Sequence, residues 1–393
     1  MKPDCVPAVT PERIFSDRAP RMVIDLRSPS EFAEDHIPGA VNLPLFDDDD
    51  RRVIGTLYRW SGPDEAFREA SSRTRDRIED FVAQAARLLG RELPDLDLPD
   101  AVGERTRAGI ADMEERLSLM PLEAEDPVVL HCWRGGLRSR SIVAFLYELG
   151  WENVAGLEGG YKGYRAAVRD HIAAWEAPPS FCLRGLTGVG KTLVLRELEA
   201  LRPGWTIDLE GLAAHRSSIL GAVGLAPVSQ RRFESLLAQR LHAGFPGPVV
   251  YEGESRKVGD IILPERIWRS MEAALDLELV APVERRVQVL VEDYLADDSN
   301  RGQLEERLPF IEKRLGARKW NGALVELLRG GREEELVRIL LERYYDPLYR
   351  HSENHNNGGG RDYARSFDTS DPRACAREIA AFIEEQPKCP HAP

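Results

Sequence analysis

The chain has 393 residues, 42% of them hydrophobic, which is enough for two or three domains with cores of their own. A formal net charge of −13 argues against wholesale nonspecific binding of nucleic acid, which depends on neutralising phosphates with Lys and Arg, and leaves room for a local basic groove. No run approaches the ~20 apolar residues of a membrane span, and Met1 to Cys5 offer no apolar signal segment, so a cytoplasmic chain with no membrane partner is expected.

In chain order, the first motif is Val23-Ile24-Asp25-Leu26-Arg27-Ser28-Pro29-Ser30-Glu31-Phe32, closing with His36-Ile37-Pro38-Gly39-Ala40-Val41-Asn42-Leu43-Pro44. Between Phe46 and Pro127 comes a segment opened by Asp47 to Asp50 and Arg51-Arg52, in which Asp64 to Leu89 and Ala101 to Leu119 read as helices. Arg68, Arg73, Arg75 and Arg77 give part of it positive charge, so this helical insertion, about residues 47–126, is expected to frame an active site or a partner surface.

Next, the strand Val128-Val129-Leu130-His131 runs into Cys132-Trp133-Arg134-Gly135-Gly136-Leu137-Arg138, and a helix is expected from near Ser139. A thiol on such a turn receives backbone N–H groups and the positive end of the following helix, and Arg134 and Arg138 add full charges, so its pKa should fall below the ordinary ~8.5. Gly135 and Gly136 allow the loop to cradle an anion. The alternative, a small buried hydrophobe, does not account for two arginines and two glycines within six residues. The five cysteines, at 5, 132, 182, 375 and 389, include no C-x-x-C pair and indicate neither a disulfide framework nor a zinc site. Cys182 is read as core packing, whereas Cys5, Cys375 and Cys389 show no chemistry.

With the later run Gly156-Leu157-Glu158-Gly159-Gly160-Tyr161-Lys162-Gly163-Tyr164, these segments resemble a rhodanese domain, occupying about residues 1–175. The resemblance implies that Cys132 carries sulfur or selenium as an S-selanylcysteine or persulfide-type intermediate. Five residues separate Cys132 from Arg138, one more than is usual in the sulfurtransferases and equal to the spacing of cysteine-dependent phosphatases, whose wider loop holds a tetrahedral phosphoryl group. Selenophosphate or a phosphorylated substrate would fit such a loop.

The prolines of Glu176-Ala177-Pro178-Pro179 mark a linker, and a second domain, residues 180–393, begins after it. Its first strand, Ser180 to Arg184, leads into Gly185-Leu186-Thr187-Gly188-Val189-Gly190-Lys191-Thr192 and a helical run, matching G-x-x-x-x-G-K-[ST] between strand and helix. Gly185, Thr187, Gly188 and Gly190 would bring backbone N–H groups to a diphosphate, Lys191 would add charge, and Thr192 could ligate Mg²⁺. Strands are expected at Trp205 to Leu209, Pro248 to Glu252 and Leu275 to Val280; Asp208, Glu252 and Glu254 are read either as Mg²⁺ ligands or as solvated loop acids. Alternating strands and helices predict a parallel sheet with phosphates at the strands' carboxyl ends.

From about Val283 to Tyr349 the pattern is helical, with a basic stretch of Arg307, Lys313, Arg314, Arg318 and Lys319. Arg314 and Arg318 are spaced to share a helix face. With Lys319 they are candidate RNA contacts, the alternative being a solvated surface paired with Glu305, Glu306 and Glu312. A last helix is expected from Arg373 to Glu385 after a Gly- and Asn-rich stretch, His351 to Gly360.

The fold class is thus α/β: a rhodanese-like domain with a helical insertion, then a P-loop NTPase-like parallel α/β domain with a helical C-terminal region. Arg52 to Tyr58, Glu210 to Ser218 and Tyr251 to Gly259 add a resemblance, over nearly the whole chain, to the tRNA 2-selenouridine synthase family. It implies a transferase that replaces sulfur by selenium in wobble 2-thiouridine of tRNA through an S-geranyl intermediate, with geranyl diphosphate and selenophosphate as co-substrates and no tightly bound cofactor. The competing readings are a sulfurtransferase or phosphatase fused to an ATP-dependent small-molecule kinase, and a binding module with two degenerate sites. Intact Cys132, Lys191 and Thr192 speak against the last.

Overall fold

The computed structural model describes residues 5–17, 19–253, 255–295, 297–348 and 362–386. Glu254, Cys389 and the stretch 351–360 lie outside them. The chain divides into two compact units, residues 1–171 with 234–239, and residues 172–233 with 240–393.

The first unit contains a six-stranded sheet whose pairings are all parallel. Its strands are β1 (Cys5–Val9), β2 (Met22–Asp25), β3 (Val41–Asn42), β4 (Ser118–Pro121), β5 (Val128–His131) and β6 (Val154–Leu157), in the order β3-β2-β5-β6-β1-β4. All four residues of β5 are buried, as expected of a central parallel strand covered on both faces. The helices are α1 (Pro29–Glu34), α2 (Asp48–Trp60), α3 (Pro63–Leu89), α4 (Leu98–Thr106), α5 (Ile110–Arg116), α6 (Leu137–Glu148) and α7 (Gly160–Ala174), the last running into the second unit's range. Local chemistry sets their ends. Ser28 with Glu31 and Asp47 with Asp50 form capping boxes, and α3 opens with Pro63 and stops at left-handed Gly90.

The insertion departs from expectation in one place. Instead of one helix over Ala101 to Leu119 the chain forms α4 and α5, broken at Gly109 (φ 89°), and then enters the sheet as β4 beside β1. Parallel pairing to a strand 113 residues earlier, Cys5 with Ser118, overrode the local helical pattern. The arginines of the insertion are largely neutralised: Arg73 and Arg77 pair with buried Asp50, Arg77 also with Asp47, Arg73 with Glu69 and Arg68 with Glu65.

The second unit has a five-stranded parallel sheet, order β13-β12-β7-β9-β8, from β7 (Ser180–Arg184), β8 (Thr206–Ile207), β9 (Val249–Glu252), β12 (Leu275–Val280) and β13 (Arg365–Asp368). A separate antiparallel pair is β10 (Lys257–Val258) with β11 (Ile261–Ile262). Helices α8 (Lys191–Leu201), α9 (Leu209–Ala213), α10 (Gln230–His242, of which residues 234–239 group with the first unit), α11 (Glu265–Glu272), α12 (Val283–Leu295), α13 (Asn300–Trp320), α14 (Ala323–Arg329), α15 (Glu333–Leu340) and α16 (Pro372–Glu385) complete the order, with a π-turn at Leu341–Tyr345. The expected strand Trp205 to Leu209 is shorter, because Asp208 caps α9. Among the described residues of this unit, one core packs against the sheet around Leu183, Leu198, Val250 and Phe367, and another forms among the C-terminal helices around Val287, Leu308, Leu324 and Leu340.

Candidate active sites

Both candidate sites lie where a buried parallel strand ends and a helix begins. In the first unit, register pairs Asp25 of β2 with His131 of β5, so the end of β2 stands beside the entry to the Cys132 loop. Asp25 is fully buried and holds Arg27 through its Nη2 at 2.6 Å. Arg27 in turn lies 3.8 Å from the Tyr161 ring and donates to the Asp35 carbonyl at 2.7 Å. On the other side of the loop, the amides of Tyr161 and Lys162 donate to the carbonyls of Cys132 and Trp133, both at 2.9 Å. Gly135 (φ 61°) and Gly160 (φ 56°) are required there, since a Cβ at Gly135 would come within 2.5 Å of the Leu157 carbonyl and one at Gly160 within 2.4 Å of that of Cys132.

Cys132 is buried, its Sγ 3.3 Å from the Ser139 hydroxyl. Burial pushes its thiol up, but the Arg138 charge, the Ser139 hydroxyl and the backbone N–H groups of Arg134 and Ser139 outweigh that and bring the pKa below the ordinary thiol value. Arg138 acts on the sulfur through its charge. Arg134 differs: its side chain is exposed and its amide, rather than its guanidinium, acts on the sulfur. Gly136 caps α6 with no side-chain bond, and Cβ space above it is open, which leaves the helix's first amides facing the loop. Ser139 and Arg140 carry loop functions that residue type alone did not reveal; Arg140 Nε clamps the Gly135 carbonyl at 2.9 Å.

In the second unit the glycine loop after β7 adopts φ 153° at Gly185, 81° at Gly188 and 85° at Gly190. A Cβ at Gly185 would lie 2.5 Å from the Leu279 carbonyl, so the loop's close approach to β12 depends on that glycine. Lys191 Nζ donates to the Gly185 carbonyl at 3.3 Å, arching over the loop. Register places Glu252 of β9 opposite Leu183 of β7, and the Thr192 hydroxyl donates to Glu252 Oε1 at 2.7 Å. These are hard oxygens on adjacent residues of the fold, the donor type Mg²⁺ prefers when it also holds substrate phosphates. Asp208 does not join them. Its carboxylate accepts the Gly211 amide at 2.7 Å as the α9 cap, and it is absent from the cavity wall. Among the described residues no cluster of three or more His, Cys, Asp or Glu side chains could hold a metal ion.

Two braces were not legible as motifs. Buried Arg286 of α12 donates Nε to the Thr187 carbonyl at 2.9 Å while gripping Asp346, and Thr369 donates to the Val189 carbonyl at 2.6 Å. The loop opens on a cavity of about 1370 Å³, lined by Gly185, Thr187, Gly188, Gly190, Lys191 and Thr192 at one end and by carbon-rich side chains such as Leu290, Tyr345 and Leu348 elsewhere. Arg314 also lines it, its Nη1 3.0 Å from the Tyr344 hydroxyl. Gly316 is non-helical (φ 111°, ψ 96°) and interrupts α13, so Arg314 and Arg318 do not share one continuous helix face. Arg318 and Lys319 are exposed. Their expected partners are engaged elsewhere, Glu305 with Arg329 and buried Glu312 with the amides of Gly322 and Leu324.

Comparison with known proteins agrees with this architecture. Residues 178–361 match the family model described as "tRNA 2-selenouridine synthase AAA domain", and residues 12–81 and 95–167 match that of the rhodanese-like domain. The tRNA 2-selenouridine synthase of Chromohalobacter salexigens is 33% identical over 371 residues, covering 88% of this chain and 91% of the relative. Its counterparts from Hydrogenovibrio crunogenus (30% identical, 86% and 90% covered) and Cupriavidus pinatubonensis (31%, 87% and 90%) align equally fully.

Proposed function

We propose, for a chain that belongs to the tRNA 2-selenouridine synthase family, that the two loops divide one conversion of wobble 2-thiouridine in tRNA to 2-selenouridine. The observation that carries the reading is the pairing, in one chain, of a low-pKa thiol on an amide-lined loop with an intact phosphate-binding loop that opens on a large, partly apolar cavity.

The cavity suits geranyl diphosphate. Backbone N–H groups of Gly188 to Thr192 and the Lys191 ammonium receive the diphosphate, and Leu290, Tyr345 and Leu348 offer carbon surface to the terpenoid chain. The thiocarbonyl sulfur of the base attacks C1 of the geranyl group, the C1–O bond breaks, and pyrophosphate leaves with the electron pair onto anion-binding groups already in place. Mg²⁺ held by Thr192 and Glu252 would supply further neutralisation of the diphosphate. The resulting thioether departs as a neutral thiol, a better leaving group than sulfide.

At the first loop, Cys132 thiolate attacks phosphorus of selenophosphate. The P–Se bond breaks, hydroselenide leaves after taking a proton, and water later hydrolyses the S-phosphocysteine to phosphate. The five-residue spacing to Arg138 and the amides of Arg134 and Ser139 favour a tetrahedral phosphoryl group at this position. A perselenide on Cys132 would require phosphorus to leave as phosphite, which makes attack at phosphorus the redox-neutral route. Hydroselenide then adds to C2 of the S-geranyl base and expels geranylthiol.

Nucleoside mass spectrometry tests the scheme on tRNA bearing wobble 2-thiouridine, incubated with the protein, geranyl diphosphate and selenophosphate. The expected products are S-geranyl-2-thiouridine and 2-selenouridine, with pyrophosphate released in step. Intact thiouridine alongside tRNA-independent ATP turnover that Lys191→Ala abolishes would replace it with the kinase-like reading.

A further inference from the structure

The first unit holds a cavity that the scheme above does not use. It has a volume of about 230 Å³ and lies between the insertion and α6, walled by Leu45, Phe46, Ile54, Phe67, Ile142 and Phe145. Helix α6 serves two sites at once: its N-terminus faces Cys132, while Leu137, Arg138, Ser141, Ile142 and Phe145 along its length form one wall of the cavity. Arg138 joins them. Its guanidinium is the charge that favours the Cys132 thiolate, and it lies 5.3 Å from the ring of Phe46, itself a wall residue. Tyr58, also in the wall, is 64% exposed, so the cavity reaches the surface.

We infer that this cavity receives the terpenoid chain of the S-geranyl nucleoside while its C2 is presented to the selenium delivered at the Cys132 loop. The inference rests on the geranyl reading of the previous subsection and adds a second chain-binding site, in the unit that does the selenium chemistry. Size selects the occupant. An apolar cavity of ~150 Å³ takes up benzene, with its six carbons; in proportion, the 230 Å³ here accommodates about nine carbons, close to the ten of a geranyl group. Chemistry selects it too, because the wall is predominantly aliphatic and aromatic carbon and its cations, Arg138 and Arg105, are turned to a ring or to an acid, Phe46 and Phe145 for the one kind and Glu148 for the other. The thioether is then held by its leaving group, which orients the C2–S bond for displacement.

The test starts from an anticodon stem-loop already carrying S-geranyl-, S-dimethylallyl- or S-methyl-2-thiouridine, with selenophosphate and no geranyl diphosphate. Wild type should form 2-selenouridine from the geranyl substrate roughly a hundredfold more efficiently than from the methyl one, since each buried CH₂ aids binding. Ser71→Phe and Ser141→Phe, which fill the cavity from opposite walls, should erase that preference while retaining turnover of the S-methyl substrate, and Ser72→Phe on the exposed side of α3 should match wild type. Equal rates for all three chains in wild type would overturn the cavity assignment and leave the proposed function standing, as would filled variants that lose every substrate alike. Should wild type convert none, the proposed function falls, and binding decides the cavity by itself: the ¹³C-methyl resonance of Met113, a wall residue, must shift with S-geranyl-2-thiouridine nucleoside and stay in place with the S-methyl nucleoside.

Discussion

The Cys132 loop and the Lys191 loop share one backbone design and differ in what stands at its centre. Each follows a buried strand of a parallel sheet, turns through a glycine, Gly135 or Gly185, whose Cβ position is occupied by neighbouring backbone, and leads into a helix whose first amides face the loop. The first adds a nucleophile, Sγ, at the centre of the cradle; the second has only donors, with Lys191 arched across it and Thr192 tied to Glu252. A cradle with a nucleophile can make and break a covalent bond to what it holds, whereas one without can only stabilise a charge that leaves. Their surroundings differ accordingly: the thiol is enclosed, and the glycine loop opens on a cavity of about 1370 Å³.

The sharpest way to break the comparison is Cys132→Ser. It should abolish 2-selenouridine formation and leave geranylation intact, so that S-geranyl-2-thiouridine accumulates in the nucleoside mass spectrum; continued selenation would move the chemistry away from this loop. Lys191→Ala should slow pyrophosphate release by about 10²- to 10³-fold, the usual cost of one donor to a developing anion. The same variant, given RNA geranylated beforehand, should selenate at the wild-type rate.

Arg138→Gln sharpens the electrostatic side. Because the Arg138 charge does most to hold the thiol low against burial, its loss should move the acidic limb of the selenation pH–rate profile to higher pH, with the geranylation profile unchanged. A rate loss with no displacement of that limb would assign Arg138 to substrate binding alone. Ser139→Ala removes a single hydrogen bond to sulfur and should cost about 1 kcal/mol, roughly fivefold in rate at neutral pH. The smallest functional effect should come from Asp50→Ala, which strips Arg73 and Arg77 of a buried partner. A loss of about 2 kcal/mol in urea denaturation of the whole chain is expected, with both reactions kept at low temperature.

Both loops were legible in the chain because each is contiguous, and strand, glycines and helix follow one another within a dozen residues. Cys132 with Arg138, and Gly185 through Thr192, could therefore be named from local spacing. The helical break at Gly109 and the strand after it could not, since β4 exists only by pairing with β1. Nor could the roles of Arg134 and Arg314: one acts through its amide, and the other lines the cavity on an α13 interrupted at Gly316. Spacing predicts which residues share a face only while the helix stays a helix.

What the amino-acid order determined by itself was the α/β class, the two glycine-containing strand-to-helix loops and the family resemblance, all properties of short continuous segments with strong backbone constraints. Tertiary structure alone decided the rest. The Thr192–Glu252 pair comes from strand register across 60 residues, the Arg286 brace from a helix 99 residues beyond Thr187, and the apolar cavity along α6 from the packing of the insertion on that helix. Such contacts depend on which elements meet in space, and no local periodicity encodes that.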